Sequence, residues 1–180
     1  INVCTYQAVS GSGKDGVEEL LQQSSAYIDQ RTIDKKVYPK QIAFNSIPFV
    51  DCFLENNYTR EEMKMVWETH KILDENISVN PTAVRVPVLV GHAESIYIET
   101  EKEIDIELAK NCLNEFAGIS VIDNVQEVDF PTSFEHGHGT DDVYVGRIRK
   151  GLSKNNSLNL WVVADNVRKG AALNLSLIHI

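Results

Sequence analysis

The spacing of apolar residues changes period several times along this chain, and each change predicts a different element. An apolar run through about Val9 gives way to "SGSGKDG" and then to Val17, Leu20, Leu21 and Ser24 at helical spacing, so the glycines sit where a strand turns into a helix. A second apolar run, "QIAFNSIPFVD", precedes Thr59 and Glu62, the Thr-x-x-Glu start of a helix reaching about Glu75 with Met63, Val66 and Leu73 toward the core. Ala83 to Thr100 reads as strand. "EIDIELAKNCLNEFAG" repeats Ile104, Leu108, Cys112 and Phe116 every four residues, a helical stripe, with Gly118 as its C-cap. Three more strands are predicted around "ISVID", "VYVGRIR" and "LNLWVVA", and Asp165 caps a final helix. Strands outnumber helices and several follow one another directly, which predicts an α+β fold with a mixed or antiparallel sheet rather than a βαβ repeat.

One stretch, "RVPVLVGHAESIYIE" (85–99), conflicts with its own period. Val84, Val86, Val88, Val90, His92, Glu94, Ile96 and Ile98 share one parity, so an unbroken strand would set an imidazole and a carboxylate on the apolar face. It would also hold Arg85 and His92 roughly 23 Å apart on opposite faces, at about 3.3 Å per residue. Pro87 cannot donate to a sheet ladder and Gly91 permits unusual backbone angles, so "PVLVG" reads as a connection between two shorter strands, "AVRV" and "HAESIYIET". The bend lets His92 approach Arg85. By itself it fits a structural histidine at a strand start as well as a catalytic one.

Composition narrows the function classes. The 180 residues are 43% hydrophobic and 24% charged, enough for a substantial core in one domain. A net charge of -9 with no clustered Lys or Arg argues against nucleic acid or an anionic membrane as partner. No apolar run approaches the roughly 20 residues of a membrane span; a cytoplasmic location is expected. Cys4, Cys52 and Cys112 are odd in number and far apart, which predicts reduced, mostly buried thiols. Ile1 opens directly on a strand-like run, and "LSLIHI" (175–180) breaks the preceding helical pattern and reads as a non-native tail.

The chemistry-bearing motifs are ambiguous singly. "SGSGKDG" is neither a Walker loop, since Ala8 stands at the first glycine position and Asp15 at the hydroxyl, nor a dinucleotide fingerprint. It suits an anion contact or a plain tight turn. Glu68 and Lys71 in "WETHKIL" share a helix face, as a surface ion pair or something more specific. "FPTSFEHGHGTDD" reads as an exposed loop; its His136 and His138 lack a third ligand, and no metal site is expected.

Taken in order, "TYQAVSGSGKDGVEEL", "ENNYTREEMKMVWETHKIL", "VRVPVLVGHAESIYIET", "VYVGRIRKG" and "LNLWVVADNVRKGAALN" resemble the C-terminal catalytic and dimerisation domain of the aspartate-semialdehyde dehydrogenase family. The resemblance implies an α+β fold whose mixed, largely antiparallel sheet carries helices on one face, as in glyceraldehyde-3-phosphate-dehydrogenase-like enzymes. It places a substrate-binding and dimerisation domain at 1–174, with an NADP-binding domain and the nucleophilic cysteine ahead of it. The implied reaction interconverts L-4-aspartyl phosphate and L-aspartate 4-semialdehyde with NADPH through a cysteine acyl-thioester. Cys4 stands where the family usually has serine and is not that nucleophile.

By the same resemblance His92 is the acid–base histidine, Gln7 orients the acyl group, and Arg85 grips the substrate carboxylate. Glu68 faces the substrate ammonium and Lys71 binds phosphate, with His70 between them where asparagine is expected. Ser10 and Gly11 approach NADP, and Asn166 lies near the nicotinamide. The implied partners are aspartate semialdehyde, phosphate and a second copy of the chain, as homodimer or tetramer. Two alternatives remain at this point: an N-acetyl-glutamyl-phosphate reductase-type enzyme, and a catalytically silent dimerisation module.

Overall fold

A computed structural model describes residues 1–169. Six strands form one sheet: β1 (Asn2–Gln7), β2 (Asn80–Arg85), β3 (His92–Glu99), β4 (Ile119–Val121), β5 (Val143–Lys150) and β6 (Ser157–Ala164), in the order β2-β1-β3-β6-β5-β4. β1 runs parallel to β2 and β4 to β5, while the β1–β3, β3–β6 and β5–β6 pairs are antiparallel. The sheet is therefore mixed and largely antiparallel. Both edges suit their sequences: Pro81, with no N–H to donate, lies on edge strand β2, and the other edge, β4, has only three residues.

The helices are α1 (Gly13–Ile28), α2 (Arg60–Ile72), α3 (Ile106–Glu115) and the single turn α4 (Ser133–His136). α2 starts on the capping box its sequence predicts: Glu62 N–H donates to Thr59 Oγ1 at 3.2 Å and Thr59 N–H to Glu62 Oε2 at 2.7 Å. α3 starts on Asp105, which accepts the Glu107 and Leu108 amides. Register puts Ala83, Thr5, Glu94, Val162 and Val145 on one sheet face. α2 lies on it through Glu62 Oε1, which accepts the Ala83 N–H at 3.0 Å. α3 covers Val145, Ile148 and Leu158 on the same face. A second cluster, built from Val9, Leu20, Tyr38, Ile42, Ala43 and Ile47, joins α1 to the irregular segment after it.

Several expectations need correction. α3 packs half-buried Ile106, Ala109 and Leu113 on this core, while Leu108 and Phe116 are exposed. A strict four-residue repeat drifts about 40° per step around a helix of 3.6 residues per turn, so it cannot stay on one face. Leu73 lies at the end of α2 and is exposed. Cys4 and Cys52 are half-buried and Cys112 is exposed. The segment expected to be an exposed loop contains α4 and buries Pro131 and Gly137 against the sheet face opposite α2 and α3. Trp161 Nε1 donates to the Pro131 carbonyl there at 2.9 Å. Asp165 accepts the Val167 and Arg168 amides where a final helix is predicted to start; the body of that helix and the predicted tail at 175–180 lie outside the described residues.

Candidate active site

The parallel pairing of β1 with β2 sets Gln7 opposite Arg85 at the C-terminal ends of both strands. Beyond them the chains stay together. Val86 N–H donates to the Gln7 carbonyl, Val9 N–H to Val88 O and Ser10 N–H to Leu89 O, so residues 86–90 run beside a 3-10 turn at Val9–Ser12. Gly91 then turns the chain at φ 90°, with Ser133 O and Gly137 O where a Cβ would stand. β3 starts at His92, so the predicted break over Pro87 and Gly91 is what returns the histidine to the end of β1.

Ala8 is the shared contact. Arg85 Nη1 donates to its carbonyl at 2.7 Å, and its N–H donates to His92 Nδ1 at 3.1 Å. Gly11 lies over both side chains: a Cβ on it would be 2.9 Å from Arg85 Nη1 and 3.4 Å from His92 Cε1 and Nε2. Arg85 is buried, and among the described residues the Ala8 carbonyl is the one acceptor bonded to its guanidinium. A guanidinium has five N–H donors, so the arrangement suits an incoming anion. Burial lowers the Arg85 pKa, with Tyr38 and Glu61 opposing that shift. Burial, reinforced by the Arg85 charge, lowers His92 to about 4 against the partial opposition of Glu61 and Asp165. At neutral pH the imidazole is therefore uncharged.

Gln7 Nε2 donates to Glu61 Oε1 at 3.1 Å and to Thr5 Oγ1 at 3.4 Å, and Glu61 Oε2 pairs with Lys64 Nζ at 3.0 Å. Here the structure corrects the sequence reading. The carboxylate and ammonium beside Gln7 are Glu61 and Lys64, not Glu68 and Lys71. α2 starts at Gln7 and Ala83 and leads away from them, its last turn holding His70 Nε2 against the Ile77 carbonyl at 2.9 Å. Glu68 lies about 10 Å further along the axis than Glu61, at 1.5 Å per residue, and both Glu68 and Lys71 are exposed. The signal was present in duplicate: Glu-x-x-Lys occurs at 61–64 and again at 68–71, two turns apart on one face. Only the docking of the first turn on β1 and β2 tells the copies apart.

Ser10 and Asn166 meet side chain to side chain. Asn166 Nδ2 donates to Ser10 Oγ at 3.0 Å and Asn166 Oδ1 accepts the Gly91 N–H at 3.0 Å. Next to Asn166, buried Asp165 accepts the Gly139 N–H at 2.7 Å. His136, one of the histidines weighed for metal binding, accepts the Thr132 N–H on Nδ1 and packs on Tyr144 with ring centroids 5.2 Å apart. Gln7, Ser10, Gly11, Arg85, His92 and Asn166 thus gather at one end of the sheet, joined by Glu61 and Lys64, with Glu68 and Lys71 outside the group.

The semialdehyde dehydrogenase dimerisation-domain model matches residues 1–169. Aspartate-semialdehyde dehydrogenase from Shewanella violacea is 55% identical over 175 residues, 97% of this chain and 51% of that protein. The Aquifex aeolicus enzyme of the same name is 50% identical over 174 residues, 96% of this chain and 51% of its own length. The crystal structure of aspartate semialdehyde dehydrogenase II complexed with ASA from Vibrio cholerae superposes with a TM-score of 0.95 at 49% identity, covering 99% of this chain and 52% of that one. The chain spans about half the length of the relatives it matches. With its fold and these relatives in agreement with the matched family model, the chain belongs to the semialdehyde dehydrogenase dimerisation-domain family.

Proposed function

We propose that this chain is the substrate-binding and dimerisation part of an NADP-dependent aspartate-semialdehyde dehydrogenase. The observation that carries the reading is the convergence of buried Arg85 and neutral His92 on opposite sides of Ala8 beneath Gly11. Arg85 holds the substrate α-carboxylate, for which a planar bidentate donor is suited. Glu61 faces the ammonium, and its carboxylate favours a free amine over the acylated amine of an N-acetyl-glutamyl-phosphate substrate. Lys64, which pairs with Glu61, receives the phosphate in this reading. Gln7, between Glu61 and the end of β1, orients the acyl group. His92 exchanges a proton at Nε2, the ring nitrogen on the Gly11 side.

NADP, when bound, accepts the hydride. The chain fits the reactive edge of such a coenzyme at Ser10, Gly11 and Asn166, because Gly11 has no side chain to crowd Arg85 and His92. The sheet face opposite α2 and α3 presents half-buried Cys4, Tyr6, Tyr97 and Trp161, with Tyr6 and Trp161 rings 5.4 Å apart, and supports pairing with a second copy. The test is a chimera with the N-terminal half of the Shewanella violacea relative fused ahead of this chain. Arg85→Ala should raise KM for aspartate semialdehyde by about 100-fold or more, the scale of a lost buried charge-assisted pair; an unchanged KM contradicts the assignment.

A further inference from the structure

Backbone N–H groups only donate, so the 3.1 Å contact from the Ala8 N–H makes His92 Nδ1 an acceptor. The single proton of the neutral ring then sits on Nε2, on the side of Gly11. This tautomer depends on register between two segments far apart in sequence: the turn after β1, which supplies the amide, and the start of β3, which supplies the ring. Pairing of β3 with β1 ends at Tyr6 opposite Ala93, pairing with β6 sets His92 opposite Ala164, and the Val9 and Ser10 amides bond Val88 and Leu89 ahead of Gly91. Asn166 adds the side-chain tie at Gly91 itself: Oδ1 accepts the Gly91 N–H at 3.0 Å and Nδ2 donates to Ser10 Oγ at 3.0 Å. Asn166 is itself fixed by its neighbour Asp165, whose buried carboxylate holds the Gly139, Val167 and Arg168 amides.

We propose that Asn166 is a positioning residue for His92, pinning the start of β3 to the Ser10 turn so that the Ala8 amide locks the imidazole as its Nε2–H tautomer. His92 in its resting form is then a proton donor on its Gly11 side. The role rests on His92 being the proton-exchanging group of the proposed reaction and adds to any coenzyme contact made by Asn166.

The experiment is long-range 1H–15N correlation of the imidazole rings in the full 180-residue chain labelled with 15N-histidine. His92 is assigned among five histidines by the signals lost in His92→Gln. At neutral pH the chain should show Nδ1 unprotonated and Nε2 protonated, with a preference above about tenfold, since the other tautomer sets two donors face to face in a buried site. Asn166→Ala should average the two nitrogen shifts. Asn166→Asp, which keeps an acceptor for the Gly91 N–H and for the Ser10 hydroxyl, should restore the single tautomer. If Asn166→Ala does not fold, Asn166→Ser, too short to span both partners, is expected to give the same averaging. A proton on Nδ1 in the unmodified chain, or unchanged ring shifts in the Ala or Ser variant, overturns the proposal. The ring shifts do not depend on turnover, so an inactive chimera with the Nε2–H tautomer intact would count against the reaction alone.

Discussion

Replacing His92 by asparagine should change how stability responds to acid. The Asn side chain can offer Oδ1 where the imidazole offers Nδ1, so the Ala8 N–H keeps an acceptor while the titrating group is removed. In the folded chain burial and Arg85 hold the His92 pKa at about 4, against 6.5 for an ordinary histidine. A histidine depressed in this way binds its proton more readily in the unfolded chain. The associated stability is complete above pH 6.5 and is lost as the pH falls toward 4. Linkage with these two values gives a loss of about 2 kcal/mol between about pH 7 and about pH 5, from a full-range value of about 3 kcal/mol. At a urea slope of about 2 kcal/mol per M, the unfolding midpoint should shift by about 1 M. The assay is urea unfolding of both chains at the two pH values. Titrations common to both cancel, so the stability difference between wild type and His92→Asn should narrow by about 2 kcal/mol in acid. A difference that stays constant within about 0.5 kcal/mol would refute the half-buried, neutral histidine.

Glu94, on the helix-covered face between Thr5 and Val162, has its pKa raised above 4.5 by burial. Its contribution is present below pH 4.5 and is lost as pH rises through the folded value, so Glu94→Gln should stabilise the chain at neutral pH and not at about pH 4, read by urea midpoints. In α1, a Cβ on Gly16 would stand 2.6 Å from Tyr38 Oη, 2.7 Å from Val9 O and 2.8 Å from Ser12 Cβ, so Gly16→Ala should cost about 1–3 kcal/mol, seen as a lowered Tm. In the chimera, Glu61→Gln should raise KM for aspartate semialdehyde by about tenfold or more while Glu68→Gln leaves it within about twofold; the reverse order would restore the sequence-based assignment.

The parts legible in the sequence were those set by local rules. Thr59 with Glu62 announced a helix start, Pro87 with Gly91 a chain break, and the alternation after His92 a strand, and each lies where the pattern put it. The meeting of Arg85, His92 and Gln7 had a different source. Spacing allowed it once the strand was broken, and the family resemblance named it, but the joining contact is the Ala8 backbone, which no side-chain motif records. The Glu61–Lys64 pair was hidden by its own repetition, since periodicity assigns a face but not a depth along the helix axis. On α3 a four-residue ladder stood in for the alternating three-and-four spacing that turns Ile106, Ala109 and Leu113 toward the core. The family resemblance gives Asn166 a coenzyme contact; its bonds to Ser10 and Gly91 cross 156 and 75 residues of sequence, beyond any local rule.

The most direct test of the site is the rate of NADPH formation by the chimera with L-aspartate semialdehyde, phosphate and NADP, set beside the same chimera carrying His92→Ala. The site described above predicts phosphate-dependent turnover that falls by about 100-fold or more in the variant, within the range of a lost general acid–base group. Turnover unaffected by His92→Ala would contradict it.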